Sequence, residues 1–229
     1  MPLPTLYVEG ADDISVINAL LSRKGLDTER GSKFLRIQDL KSVELLLANM
    51  PDAIRQATNR IVGFVLDIDI ELQHRWGAVK NRLMDLQVVL PATCPTDGFI
   101  GKLPDYPQAF GIWLMPDCRT DGAKLENLIQ SLIPHGDPLW THAQSSTVQA
   151  ARLVDEANTK DAPDPPWKRF GDTSQIKAEV RTWLAWQREP GAQLGAAIND
   201  RILGSDSPQA ISFLRWIKTL FELNQLQIP

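Results

Sequence analysis

Along the chain, short continuous apolar runs alternate with stretches in which apolar residues recur every three or four positions. Leu3 to Val8 holds β-forming residues and stops at Glu9-Gly10, which predicts a buried strand. Asp12 and Asp13 then precede Ile14, Val16, Ile17, Leu20 and Leu21, a helical stripe closed by Lys24-Gly25. Acid near the start and glycine past the end are ordinary helix boundary signals. Phe34 to Ile37 predicts a second strand, and Val43 to Ala57 a helix that Pro51 interrupts or splits. Ile61 to Leu66 (IVGFVL) is apolar without alternation, as a central parallel strand buried on both faces would be, and it runs into Asp67-Ile68-Asp69. Trp76, Val79, Leu83 and Leu86 mark a helix. Ala109 to Met115 (AFGIWLM) is another buried strand, running into Pro116-Asp117, and Leu125 to Ile133 is again helical. Strands alternating with helices predict an α/β fold, a mostly parallel sheet with right-handed crossovers and flanking helices.

Beyond residue 139 the pattern turns helical. Residues 140–157 and 174–188 carry helical spacing, separated by the breaker-rich Asp161 to Pro166 (DAPDPP). A last amphipathic stretch holds Ile211, Leu214, Ile217, Leu220 and Phe221. The expected organisation is an α/β core over 1–139 with a helical part, 140–229, packed on it. Five of the seven tryptophans fall in that second part, which suits a helical layer covering a sheet. The acidity lies in the first part, with a formal charge of −4 over 1–139 and 0 over 140–229. Such a chain is no strongly basic nucleic-acid module, although local charge matters more than the sum. Two cysteines, no signal-peptide pattern in MPLPTLYVEG and no apolar run of ~18 residues predict a cytoplasmic protein with no membrane partner. Self-association is left open by the sequence.

The acids carry the chemistry. Aspartates outnumber glutamates 19 to 9, and several stand where strands end. In open parallel sheets ligands bind at the carboxyl ends of the strands. Glu9 follows the first strand, Asp67 and Asp69 the third, and Asp117 the last. Carboxylates converging in one crevice repel each other, and protonation or a cation relieves the repulsion. Oxygen donors with few histidines select Mg²⁺ or Mn²⁺ over zinc. Asp67 and Asp69 would face one side only if extended geometry continues past the strand, because side chains alternate. Asp13 either closes on the same ion or caps the first helix. Glu71 reads as a favourable charge in a helix first turn. Glu126, early in the helix after Asp117, either aims at the site or is only a helix acid.

Other constellations fail. Gly98-Phe-Ile-Gly101-Lys102 is too short for a phosphate loop and has Leu103 where Ser or Thr is required. Cys94, Cys118, His135 and His142 lack zinc-ligand spacing. There is no Gly-x-Ser-x-Gly elbow, and His74 reads as a surface residue.

VEGADD (Val8 to Asp13), FVLDIDIE (Phe64 to Glu71) and FGIWLMPD (Phe110 to Asp117) resemble the Toprim fold, whose signature is a glutamate after the first strand and a DxD after the third. GAKLENLI (Gly122 to Ile129) and KAEVRTWLAWQREPGAQLGAAI (Lys177 to Ile198) are similar to a bacterial family of uncharacterised Toprim-related proteins, close to the nuclease half of OLD-type proteins. The resemblance implies metal-dependent phosphodiester chemistry on DNA or RNA. It places Glu9, Asp13, Asp67 and Asp69 on one or two Mg²⁺ or Mn²⁺ ions, with Asp117 and Glu126 as further ligands. It also makes Lys177, early in a helix with a Val180, Trp183 and Leu184 stripe, a cation for the developing phosphate charge. A topoisomerase would need a nucleophilic tyrosine, and of Tyr7 and Tyr106 the first lies inside a predicted strand. Unlike OLD proteins the chain has no Walker A motif, so any ATPase partner would be a separate polypeptide. The alternative to a nuclease is a non-catalytic metal- or nucleotide-binding subunit of a defence-type complex with that ATPase. Neutral charge over 140–229 keeps it open, since a solo nuclease usually needs a basic track.

Overall fold

The computed structural model describes residues 2–26, 34–104, 106–158 and 167–228. Two compact units emerge, one made of Met1–Leu132 with Gln193–Pro229 and the other of Ile133–Ala192. This division differs from one at 139/140. Residues 193–229 belong with the sheet because their helices pack on it.

In the first unit, β1 (Thr5–Val8), α1 (Ala11–Arg23), β2 (Arg36–Asp39), α2 (Val43–Arg55), β3 (Val62–Asp67) and α3 (Leu72–Leu83) alternate as the sequence pattern requires. β4 (Phe99–Lys102) and β5 (Ala109–Met115) complete a five-stranded sheet, followed by α4 (Leu125–Leu132). The second unit holds α5 (Pro138–Ala157) and α6 (Gln175–Ala185), and the chain returns to the first unit with α7 (Leu194–Asn199) and α8 (Pro208–Leu220). Strand order is β2-β1-β3-β5-β4; all pairs are parallel except β4 with β5. The expected α/β fold, a mostly parallel sheet flanked by helices, is therefore the observed one.

Some local expectations shift. The second strand starts two residues later than Phe34, because pairing Thr5 to Val8 with Arg36 to Asp39 sets its register, and Phe34 is exposed. Pro51 does not split α2; Leu46, Leu47, Met50 and Ile54 are buried on either side of it and hold the helix through the lost N–H. The segment weighed as a phosphate loop is the antiparallel edge strand β4. DAPDPP lies outside the described residues.

Chain direction fixes where a ligand can go. From β1 the chain moves to one side, into β2, whereas β2 to β3 and β3 to β5 move to the other. Right-handed crossovers then put α1 on one face and α2 and α3 on the other. Contacts agree: α2 packs with α3, and α1 with α7 and α8. The carboxyl ends of β1 and β3 are thus the switch point at which open α/β sheets form their crevice.

Two close approaches hold the α1 face. A Cβ on Gly63 or Gly111 would stand 2.9 or 2.5 Å from Leu220, so these glycines let α8 lie flat on the sheet. A Cβ on Gly195 would meet the Ser15 carbonyl oxygen at 2.4 Å, which is how closely α7 seats on α1. Trp113 and Trp216 pack at 5.7 Å between β5 and α8. The helix that presents Asp13 is therefore clamped from behind.

Candidate acidic cation site

Glu9 follows β1 and Asp67 ends β3, on neighbouring strands at the switch point. The Asp67 backbone N–H donates to Glu9 Oε1 at 2.8 Å, which ties the two strand ends together. Asp13, in the first turn of α1 and only 8% exposed, accepts the Gly10 N–H through Oδ2 at 3.0 Å. It does cap its helix, reaching back to the N-cap residue. Asp67 caps as well, though not the helix that follows it: its Oδ1 accepts the N–H of Leu125, at the start of α4, at 2.9 Å. That contact brings the first turn of α4, and with it the buried Glu126, up to the end of β3.

The electrostatics show one group. Burial, opposed by the Asp67 N–H and helped by the Asp13 and Asp69 charges, lifts the Glu9 carboxyl to about 7. Asp13 rises to about 6, chiefly by burial, with Glu126 and Asp12 adding repulsion. Asp67 is pushed well above the usual range by burial and then by Glu9, Asp13, Glu126 and Asp69. These carboxyls hold protons more tightly than exposed acids because ionising one charges a buried neighbourhood that already contains acids.

Asp69 behaves differently. Extended geometry ends at Asp67, and Asp69 has φ +64°, in the left-handed region. The N–H groups of Ile68 and Asp69 both donate to the Ala123 carbonyl at 3.1 Å, which zips the DxD turn to the loop before α4. The Asp69 carboxylate then meets Arg75 Nη2 at 2.6 Å and Lys124 Nζ at 3.0 Å. The condition for Asp67 and Asp69 to share a side, continued strand geometry, is not met.

Asp117 turns to its own loop. It accepts the N–H groups of Arg119 and Thr120 at 3.0 Å each and the Thr120 hydroxyl at 2.9 Å. Glu71 is the N-cap residue of α3 without a side-chain cap bond, and His74 is exposed, as expected. Lys177 is an exposed residue of α6, in the second unit. The structure thus brings together Glu9, Asp13, Asp67, Asp69 and Glu126.

Over residues 4–222 the chain matches the family described as "Protein of unknown function (DUF3226)". The chain belongs to that family. No curated protein and no solved structure matches it.

Arg75 and Lys124, the two bases paired with Asp69, are candidate site residues that sequence reasoning passed over. Arg75 lies in the first turn of α3, six residues after Asp69; Lys124 directly precedes α4. A signal existed: acids gathered at the carboxyl ends of the strands need counter-charges, and the segments carrying these two bases follow those ends. What the sequence lacked was the turn at Asp69 that aims its carboxylate at them.

The donors suit a hard divalent cation, being carboxylate oxygens without nitrogen or sulfur. Among the described residues, no three His, Cys, Asp or Glu side chains stand as an assembled ligand group. Glu9, Asp13 and Asp67 each accept a backbone N–H, and Asp69 meets two bases. The donor chemistry fits a cation, and the ligand group is not assembled.

Proposed function

We propose that this protein is a divalent-metal-dependent phosphodiesterase or nuclease acting on DNA or RNA, with Glu9, Asp13, Asp67 and Glu126 as the groups that hold Mg²⁺ or Mn²⁺. One observation carries the proposal: buried and half-buried, mutually repelling carboxyls occupy the switch point of a parallel sheet. Such a cluster is stabilised by a cation, and a pocketed carboxyl with a strongly raised pKa is a functional-site candidate. When bound, the ion supplies Lewis-acid stabilisation of phosphoryl charge and a more acidic water. The chain's own contribution is proton handling and charge. Glu9, held near 7 without an ion, releases its proton when a cation binds. Arg75 and Lys124 place fixed positive charge beside the acids, toward which a phosphate group is drawn. The resemblance to the Toprim nuclease half of OLD-type proteins supports the same chemistry.

A second reading, a non-catalytic metal- or nucleotide-binding subunit working with a separate ATPase, is favoured by the unassembled ligand group. Incubating the purified protein with plasmid or structured RNA and Mn²⁺ separates the two. Cleavage that Asp67→Ala abolishes supports the nuclease. A wild type that binds Mn²⁺ but leaves both nucleic acids intact supports the subunit. No described helix is long and apolar enough to cross a membrane.

A further inference from the structure

Cys94 and Cys118 are the chain's two cysteines, and the proposed chemistry uses neither. The fold brings them together. Cys94 precedes β4 and Cys118 follows β5, and these strands pair antiparallel with Phe99 opposite Ile112. Antiparallel pairing carries residues before one strand toward residues after the other, so both cysteines reach the same end of the hairpin. The Asp97–Arg119 ion pair, at 3.8 Å, bridges the same two segments. The thiols themselves are joined by a side-chain hydrogen bond. Both are free and buried, Cys94 at 6% exposure and Cys118 at 0%.

The turn after β5 fixes one sulfur. The Leu114 N–H donates to Cys118 Sγ at 3.2 Å, and the Cys118 N–H donates back to the Leu114 carbonyl at 2.8 Å. Cys94 donates its S–H to the Pro95 carbonyl at 3.7 Å, within a stretch, 87–98, that has neither helix nor strand. Val89, Thr93 and Thr96 of that stretch are exposed. Segments of this kind open locally at low cost, which gives a reagent access to Cys94. Cys118 has no such route. Burial pushes its thiol up, and the contact with Cys94 adds to the rise. Thiols buried in this way react slowly, so equilibrium rather than speed is the useful measure of the pair.

We infer that Cys94 and Cys118 are a modification site, closing to a reversible disulfide by exchange with a low-molecular-weight disulfide. Cys94, as thiolate, attacks the small disulfide, forming a mixed disulfide and expelling one small thiolate. Cys118, as thiolate, then attacks Cys94 Sγ and expels the second. The two protons given up by the cysteines end on the two small thiols. The cysteines are oxidised by two electrons, and the reagent is reduced by two. The new bond closes residues 94–118 into a loop, which restricts the unfolded chain and so favours the folded one. Neither step involves the proposed cation site.

The test exposes the folded full chain to excess oxidised glutathione overnight with a chelator present. Remaining thiols are alkylated in denaturant, and the products are read by peptide mass spectrometry and thermal unfolding. The expected product is a Cys94–Cys118 cross-link within one chain, without alkylated cysteine, which dithiothreitol returns to two alkylated cysteines. The oxidised chain is expected to melt roughly 5–10 °C above the reduced one. Two alkylated cysteines in the treated wild type would overturn the inference, as would glutathione retained on either cysteine or cross-links only between chains. A cross-linked chain that melts below the reduced one would also overturn it, because the folded thiols would then not be placed for the bond. The same gain in melting temperature in Cys94→Ala would count against it equally.

Discussion

Each unit of the chain has its own cluster of acids, and they differ in what surrounds them. In the second unit, Arg169 Nε spans both oxygens of Asp155 at 2.9 and 3.0 Å, while its Nη1 reaches Asp172 at 2.9 Å. These acids are open to solvent, 57% and 90% exposed, and line a cavity of about 700 Å³ between α5 and the segment leading into α6. Each acid is bonded to a base, and water screens the charge that is left. In the first unit, Glu9, Asp13 and Asp67 are withdrawn from water, and what they gain are backbone N–H groups and each other. Acid count does not separate the two clusters. Burial without a bonded base does, because only there does ionisation carry a free-energy cost that a ligand could relieve.

The largest effect expected from this contrast is on pH dependence. Glu9 has a folded-state pKa of about 7 against an ordinary 4.5, and Asp13 about 6 against 3.8. Between those limits the folded chain keeps protons that the unfolded chain has released. Stability of the metal-free protein therefore falls as pH rises, through about 4 to 7, and the loss is complete above the folded values. For Glu9 alone it amounts to about 3 kcal/mol. Urea denaturation in the presence of a chelator at pH 5, 6 and 7 should show the decline, and Glu9→Gln should flatten it. A wild type as stable at pH 7 as at pH 5 would mean that the acids are not strained.

Next in size is the response to a cation. Mn²⁺ at a hundred times its dissociation constant should stabilise the wild type at neutral pH by about 2.7 kcal/mol. Asp67→Ala should lose that stabilisation, while Asp155→Ala, in the matched and exposed cluster, should retain it. Equal responses in the two variants would erase the distinction between the clusters.

A smaller loss is expected from disturbing the support of α1. Gly195→Val places a side chain against the Ser15 carbonyl and should cost about 1–3 kcal/mol of stability. Because α1 presents Asp13, Mn²⁺ affinity should weaken as well. Unchanged melting temperature and affinity would show that the contact is slack. The smallest effect belongs to Arg169→Ala, whose partners are solvated; the melting temperature at physiological salt should not move measurably. A clear drop there would show the exposed network to be structural.

The continuous apolar runs in β3 and β5 and the helical stripe of α1 determined the α/β alternation, since an element buried on one face or two must repeat its apolar residues with its own period. The same reading placed Glu9, Asp67 and Asp117 at strand ends, because each run stops there. Edge strand β4 was not legible: Phe99 to Lys102 is short and glycine-bearing, and its partner is chosen by the exposed side of β5. The grouping of 193–229 with the sheet was hidden for a similar reason, depending on close approach at Gly195, Gly63 and Gly111 rather than on any local propensity.

At the site, residue type and position along the chain were enough to nominate the acids, and not enough to orient them. Asp67, Asp69 and Asp117 are the same residue at the same kind of place. One is half-buried and caps a helix from another part of the chain, one lies in a left-handed turn between two bases, and one is folded onto its own loop. By itself the sequence determined which groups could ionise and roughly where the strands would deliver them. Which acids lost their water and which met a base was decided by the tertiary structure, because desolvation and charge pairing depend on segments far apart in the chain.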